Sequence, residues 1–180
     1  MTTLALLVRL VLAAAPAELA ERPQPGGTTE TVNERRARLE QIAADAWHVA
    51  RIDEPLPWRT RQETAIVLLA LACHESSFRL DVDADRCSTD PREGDCDGGR
   101  AKCLLQIHPA SADEAVEVNG SRIGCFRAGL RRVRASVRTC TAPGAALALY
   151  TGGQCEEPTA IASSREHLAT IHDWMARARR

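Results

Sequence analysis

Glu75 lies in Ala72-Cys73-His74-Glu75-Ser76-Ser77-Phe78, directly after the apolar run Ala65-Ile66-Val67-Leu68-Leu69-Ala70-Leu71. A helix that is apolar all round is a buried helix, and this run ends where such a helix should surface. Partial burial of a carboxyl group favours its protonated form. A protonated carboxyl in a cleft can give a proton to a leaving group and take one back, which is general acid–base chemistry. His74 does not make the segment a zinc site. The helical zinc motif needs a second His three residues after the Glu, and that position is Phe78. Taken alone, a glutamate at a helix end is an ordinary solvated acid, so the rest of the chain has to decide its role.

Bulk composition narrows the choices. With 180 residues and 44% apolar content there is room for one domain with a true core. Aromatic residues make up only 3%, too few for a base-stacking surface. The formal net charge of −1 steers the chain to no polyanion, so no nucleic-acid partner is expected. Arg127, Arg131, Arg132, Arg134 and Arg138 lie on one helix face. That face could attract acidic groups of a ligand or simply be solvated. Trp47, Trp58 and Trp174 read as core residues, and His108 as a residue of a cleft or of the surface.

The seven cysteines, at 73, 87, 96, 103, 125, 140 and 155, point to an oxidising compartment and disulfides. Their odd number leaves at least one thiol unpaired. Cys87 and Cys96 bracket a polar loop and are the best-placed pair; the sequence does not assign the others. There is no Cys-x-x-Cys or His-x-x-x-His pair for zinc. Asp81, Asp83 and Asp85 alternate as in a calcium loop, but Arg86 stands where that loop needs Gly and Arg92 where it needs a bidentate Glu. No metal and no cofactor is expected.

The elements that must position Glu75 are helices. Residues 1–20 fit either the apolar region of a secretory signal or an amphipathic N-terminal helix; they are too short and interrupted for a membrane span. Residues 21–30 form a Pro/Gly-rich linker, and the domain occupies 31–180. Leu39, Ile42, Ala43, Ala46 and Val49 recur at helical spacing over 31–52. Thr60, with Glu63 three residues on, caps the helix that carries Ile66 through Glu75. Further helices are expected from Ser111 to Asn119-Gly120, along Ile123, Phe126, Leu130, Val133 and Val137, from Thr141 through Tyr150, and over 158–178. No segment alternates as a long strand would, so the fold class is mainly α.

Three segments in order carry a resemblance. They are Glu75-Ser76-Ser77-Phe78, Cys103-Leu104-Leu105-Gln106-Ile107-His108-Pro109 and Ala148-Leu149-Tyr150-Thr151-Gly152-Gly153. They are similar to the Glu-Ser-x-Phe, Gly-Leu-Met-Gln-Ile-x-Pro and Ala-x-Tyr-Asn-x-Gly motifs of the lysozyme-like domain of soluble lytic transglycosylases and goose-type lysozymes, over roughly residues 61–155. The resemblance implies a lysozyme-like helical domain with a catalytic cleft, cutting the MurNAc–GlcNAc β-1,4 bond of peptidoglycan glycan strands. By resemblance, Glu75 is the acid and then the base that removes the proton of the sugar's own 6-hydroxyl, closing a 1,6-anhydro ring. Ser76, Gln106, Tyr150 and Thr151 support it: Ser76 near the acid or the N-acetyl group, Gln106 on the cleft floor, Tyr150 with its hydroxyl near Glu75. The chain departs from the pattern at Cys103, where the motif has Gly, and at Thr151, where it has Asn. Cys103 could instead join a disulfide, with Cys73 or a loop cysteine.

A hydrolase of the same bond would need a second acid, for which folding would have to bring up Asp81 or Asp83, or help from the substrate's acetamido group. A non-catalytic glycan-binding protein of the same fold is the other alternative. The implied substrate places the protein, as a monomer, in the periplasm, cell envelope or medium, or on a phage particle.

Overall fold

The computed structural model describes residues 2–19, 29–85 and 97–180. Seven α-helices are present among them: α1 Thr3–Ala14, α2 Val32–Ile52, α3 Arg61–Ser76, α4 Leu80–Asp83, α5 Ala112–Val118, α6 Arg122–Thr139 and α7 Pro158–Ala178. The described residues form no strand; Lys102 and Ile107 make one isolated antiparallel bridge. The protein is mainly α, as expected.

The middle of the fold is α3. Every residue from Thr64 to Ala72 is buried, and α3 packs against α2, α7, α1 and α6. Ile66, Val67, Leu68, Leu69 and Leu71 are each at most 4% exposed. Each such side chain gains ~1.5–3 kcal/mol on burial, which fixes α3 as the fold's axis. The helix starts at a complete capping box: Thr60 accepts from the Glu63 N–H, and the Glu63 carboxylate accepts from the Thr60 N–H. Thr31 and Glu34 repeat the device on α2.

The stripe Leu39, Ile42, Ala43, Ala46 and Val49 of α2 is fully buried, and α2 also packs on α1 and α6. Helix α1 buries Leu6, Leu7, Leu10 and Val11 against the domain. A buried ion network ties α2, α4 and α6: Asp83, its side chain 2% exposed, pairs with Arg38 at 3.3 Å and Arg122 at 2.6 Å.

Several expectations need correction. Residues 141–150 form turns, not a helix. The Leu147 N–H donates to Ser164 Oγ at 2.9 Å and the Leu149 N–H to Ser136 Oγ at 3.1 Å. Side chains of α7 and α6 thus take the donors that an α-helix would give to its own carbonyls. Trp58 is no core residue: it is 90% exposed on a left-handed backbone, φ 57°. Trp174 is buried and Trp47 partly so.

Cys103 is bonded to Cys125 on α6, not to Cys73, which is free. Cys140 is bonded to Cys155. The suggested Cys87–Cys96 pair and the calcium-loop residues Arg86 and Arg92 lie outside the described residues. The two disulfides have a common consequence. One staples the 103–107 turn to α6, and the other closes the 141–153 segment at its ends. No helix among the described residues is long and apolar enough to cross a membrane.

Candidate active site

Helix α3 surfaces at its last turn. His74 is exposed, Glu75 half-buried, and Ser76 buried again. Ser77 and Phe78 then take left-handed backbone angles, φ 49° and 53°. This reversal ends the helix and sends the Phe78 ring into the core beside Trp174, centroids 6.4 Å apart. Glu75 is left facing an open cleft of about 630 Å³.

Three walls complete the cleft. The 103–107 turn supplies Leu105, Gln106 and Ile107, with His108 next to it. Its backbone is left-handed at Cys103, φ 58°, and at Gln106, φ 48°, and the Gln106 amide donates to the Cys103 carbonyl at 3.2 Å. The 141–153 segment supplies Tyr150, Thr151 and Gly152. Two of its glycines, Gly152 and Gly153, are required. Gly152 has φ 87°, and a Cβ on Gly153 would fall 2.1 Å from that of Ala160 on α7. The third wall is α7, through Ser163 and His167, with Arg132 of α6 and Asp97 at the margin.

His167 is the partner of Glu75. Its Nε2 lies 2.6 Å from Glu75 Oε1, and its Nδ1 lies 2.7 Å from the Ser163 carbonyl. A carbonyl only accepts, so Nδ1 carries a hydrogen, and the Glu75–Nε2 bond holds one further proton between them. Oε2 of Glu75 has no hydrogen bond among the described residues. The His74 ring lies 4.1 Å from that of His167, tilted by 49°, and the Tyr150 ring meets it edge-on at 6.0 Å.

Burial by itself would lower the His167 pKa, but the hydrogen bonds to Glu75 and the Ser163 carbonyl, and the nearby carboxylates, raise it above its ordinary value. His74, although largely exposed, moves the other way, lowered by the partial desolvation of its ring and by the charge of His167. Burial, and then the Glu75 charge, push the Tyr150 phenol well above its usual range. Tyr150 is therefore a neutral donor, and its hydroxyl donates to the Leu105 carbonyl at 3.2 Å.

Of the residues singled out in the sequence, Glu75, Gln106, Tyr150 and Thr151 line this one cleft. Ser76 does not. It is buried, and its hydroxyl donates back to the Ala72 carbonyl at 2.7 Å. Tyr150 reaches the Leu105 carbonyl rather than Glu75, and the Thr151 hydroxyl donates to the Ala148 carbonyl at 2.9 Å. Asp81 and Asp83 are engaged by Arg79 and by Arg38 and Arg122, away from the cleft.

The arginine face of α6 is matched internally. Arg127 meets Asp53, Arg131 Glu117, Arg132 Glu114, and Arg134 and Arg138 both Glu54. It therefore offers little free charge to an acidic ligand. No cluster of three or more His, Cys, Asp or Glu that could hold a metal occurs among the described residues.

His167 and Asp97 were not found from the sequence. One signal for His167 was present. It falls on the inward stripe of α7 with Ala160, Ser164, Ile171 and Trp174, and a histidine on a buried stripe needs a polar partner. No protein-family model, no curated protein and no solved structure matches the chain.

Proposed function

We propose that the protein is a peptidoglycan lytic transglycosylase that cleaves the MurNAc–GlcNAc β-1,4 bond with Glu75 as its acid and base. The observation that carries this reading is convergence. Glu75, Gln106, Tyr150 and Thr151 come from three segments far apart in the chain, yet line one cleft of the size that small-ligand sites have. A second observation supports the motif match. At Cys103, where the resembled motif has Gly, the backbone is left-handed at φ 58°, the conformation Gly adopts without strain.

In this reading Glu75 carries out both proton transfers. Its proton goes to the glycosidic oxygen, the bond from that oxygen to C1 breaks, and positive charge develops at C1. The 6-hydroxyl oxygen of the same sugar then bonds to C1 and its proton returns to Glu75. No water is consumed, and one protein carboxylate suffices. Gln106 and Thr151 are placed to contact sugar along the cleft. Tyr150 holds the Leu105 wall, so its part is to shape the site. Cofactors are not needed for either step. The protein acts as a monomer on glycan strands outside the cytoplasm or from a phage particle, in keeping with the two disulfides among the described residues.

One observation favours a second reading. Asp97 lines the same cleft, held by Arg100 at 2.8 Å and 3.6 Å from His108. A muramidase of the hydrolytic type would use such a second carboxylate.

Digestion of purified peptidoglycan, with mass spectrometry of the soluble products, tests both. Products ending in 1,6-anhydro-MurNAc are expected. Products with a reducing end, heavier by one water, would transfer the role to the Glu75/Asp97 pair. Glu75→Gln should lower release by about 10²–10⁴-fold. Unchanged release in that variant, or none from the native protein, would overturn the proposal; glycan binding without release would leave a non-catalytic binder.

A further inference from the structure

Glu75 is one half of a two-residue unit. His167 approaches it from α7, across the cleft from α3, at 2.6 Å. The imidazole has no freedom to turn away. Its Nδ1–H is spent on the Ser163 carbonyl one turn earlier in its own helix, and its ring lies between His74 and Tyr150. The side chain of His167 is only 6% exposed, against 22% for Glu75. An imidazole so enclosed, with its one free nitrogen aimed at the carboxylate, is a fixed proton acceptor and donor for that carboxylate.

We propose that His167 is a positioning and proton-holding residue for Glu75, so that the pair keeps one transferable proton at a pH where a lone carboxyl would have lost it. The proposal rests on the acid–base reading of Glu75 given above. In the resting pair the proton lies on Nε2 or on Oε1; the two forms contain the same number of protons and differ only in where one sits. In the first half of the reaction that proton leaves through Glu75 to the glycosidic oxygen as the C1–O bond breaks. The pair is then a carboxylate beside a neutral imidazole. In the second half the 6-hydroxyl bonds to C1, its proton passes to Glu75, and the pair is restored. Nothing is oxidised or reduced, and the count of protons closes.

The apparent constants of such a unit belong to the pair rather than to either member. Activity needs the singly protonated pair, and it is lost on the alkaline side when that last proton leaves. His167 sets this limb, and its surroundings favour retention of the proton. Glu75 faces it from α3 and Glu166 adds negative charge from α7. His74, also on α3, is lowered and does not compete as a second cation. Tyr150 is neutral; of the charged groups at the margin of the cleft, Arg132 of α6 is already paired with Glu114 and Asp97 with Arg100.

The test uses His167→Gln, whose amide can still donate to Glu75 but cannot store a proton. The pH profile of kcat on peptidoglycan should lose its alkaline limb at lower pH, displaced by about two units, the gap between an ordinary imidazole and an ordinary carboxyl. A purely structural role predicts a uniform fall in kcat with the limb unmoved, and that result would overturn the proposal. A second arm needs no activity. Imidazole ¹⁵N NMR should show His167 titrating above the ordinary range in the native protein, and about one unit or more lower in Glu75→Gln, since the opposite charge is gone. An identical titration in both would also overturn it. A native protein that releases no product would remove the transglycosylase reading, while the NMR arm still decides whether the pair shares its proton.

Discussion

Replacing Cys103 by glycine should be less harmful than replacing it by serine, which reverses the usual order. The comparison is between Cys103→Ser/Cys125→Ala and Cys103→Gly/Cys125→Ala. Both lose the cross-link, which spans 22 residues. The loop-entropy relation assigns about 3.4 kcal/mol to closing such a loop. At about 2–4 °C per kcal/mol for a chain of this size, each variant should melt roughly 7–14 °C below the native protein. The difference between them comes from the backbone. Residue 103 sits at φ 58°, which costs a non-glycine residue about 1–2 kcal/mol. Glycine escapes that cost but gives back about 0.5–1 kcal/mol through its freer unfolded chain. The glycine variant should therefore be the more stable by about 0.5–1 kcal/mol, read from urea unfolding at equal slope. A glycine variant that is less stable than the serine variant would show that residue 103 does not hold the left-handed conformation. The reason for matching this turn to a Gly-containing motif would go with it.

Other expectations follow from the same geometry. Asp83→Ala should destabilise by about 1–3 kcal/mol, because Arg38 keeps Glu30 at 2.7 Å and Arg122 keeps Asp45 at 3.6 Å while both lose their shared carboxylate; chemical denaturation measures this, and no loss at all would mean that water takes the carboxylate's place. Tyr150→Phe leaves the Leu105 carbonyl without its donor. It should cost about 1 kcal/mol and leave turnover within about tenfold, whereas a larger loss of turnover would give the hydroxyl a direct part in the reaction. Stability should fall on both sides of neutrality. The His167 contribution is full below the ordinary imidazole range and disappears as pH rises through its raised folded-state pKa. The His74 contribution is full above that range and disappears as pH falls through its lowered one. Urea unfolding of His167→Gln from about pH 5 to 9 should lose the alkaline decline and weaken the acid one, since the His167 charge is part of what lowers His74.

Some of this was decided by neighbours in the chain. The α2 stripe, the all-apolar α3, the Thr60–Glu63 capping box and the bounds of α7 are visible in the sequence because helices are made of contacts three and four residues apart. Glu75 was legible for the same reason. An apolar helix has to surface somewhere, and the residue at that point is exposed on one side and desolvated on the other.

Other features depended on what packs against what. Residues 141–150 have helical composition and a cap, yet Ser136 and Ser164 take their backbone donors, and no local pattern announces a hydroxyl arriving from another helix. The Arg face of α6 reads as free charge until Asp53, Glu54, Glu114 and Glu117 are brought beside it. Cys103 found Cys125 rather than Cys73 because the 103–107 turn lies on α6. Most of all, Glu75 and His167 are separated by 92 residues. A sequence can nominate a carboxyl group from its immediate surroundings, but the imidazole hydrogen-bonded to it is chosen by the packing of α3 against α7. That packing is a property of the whole core, where every buried polar group must find a partner wherever in the chain it lies.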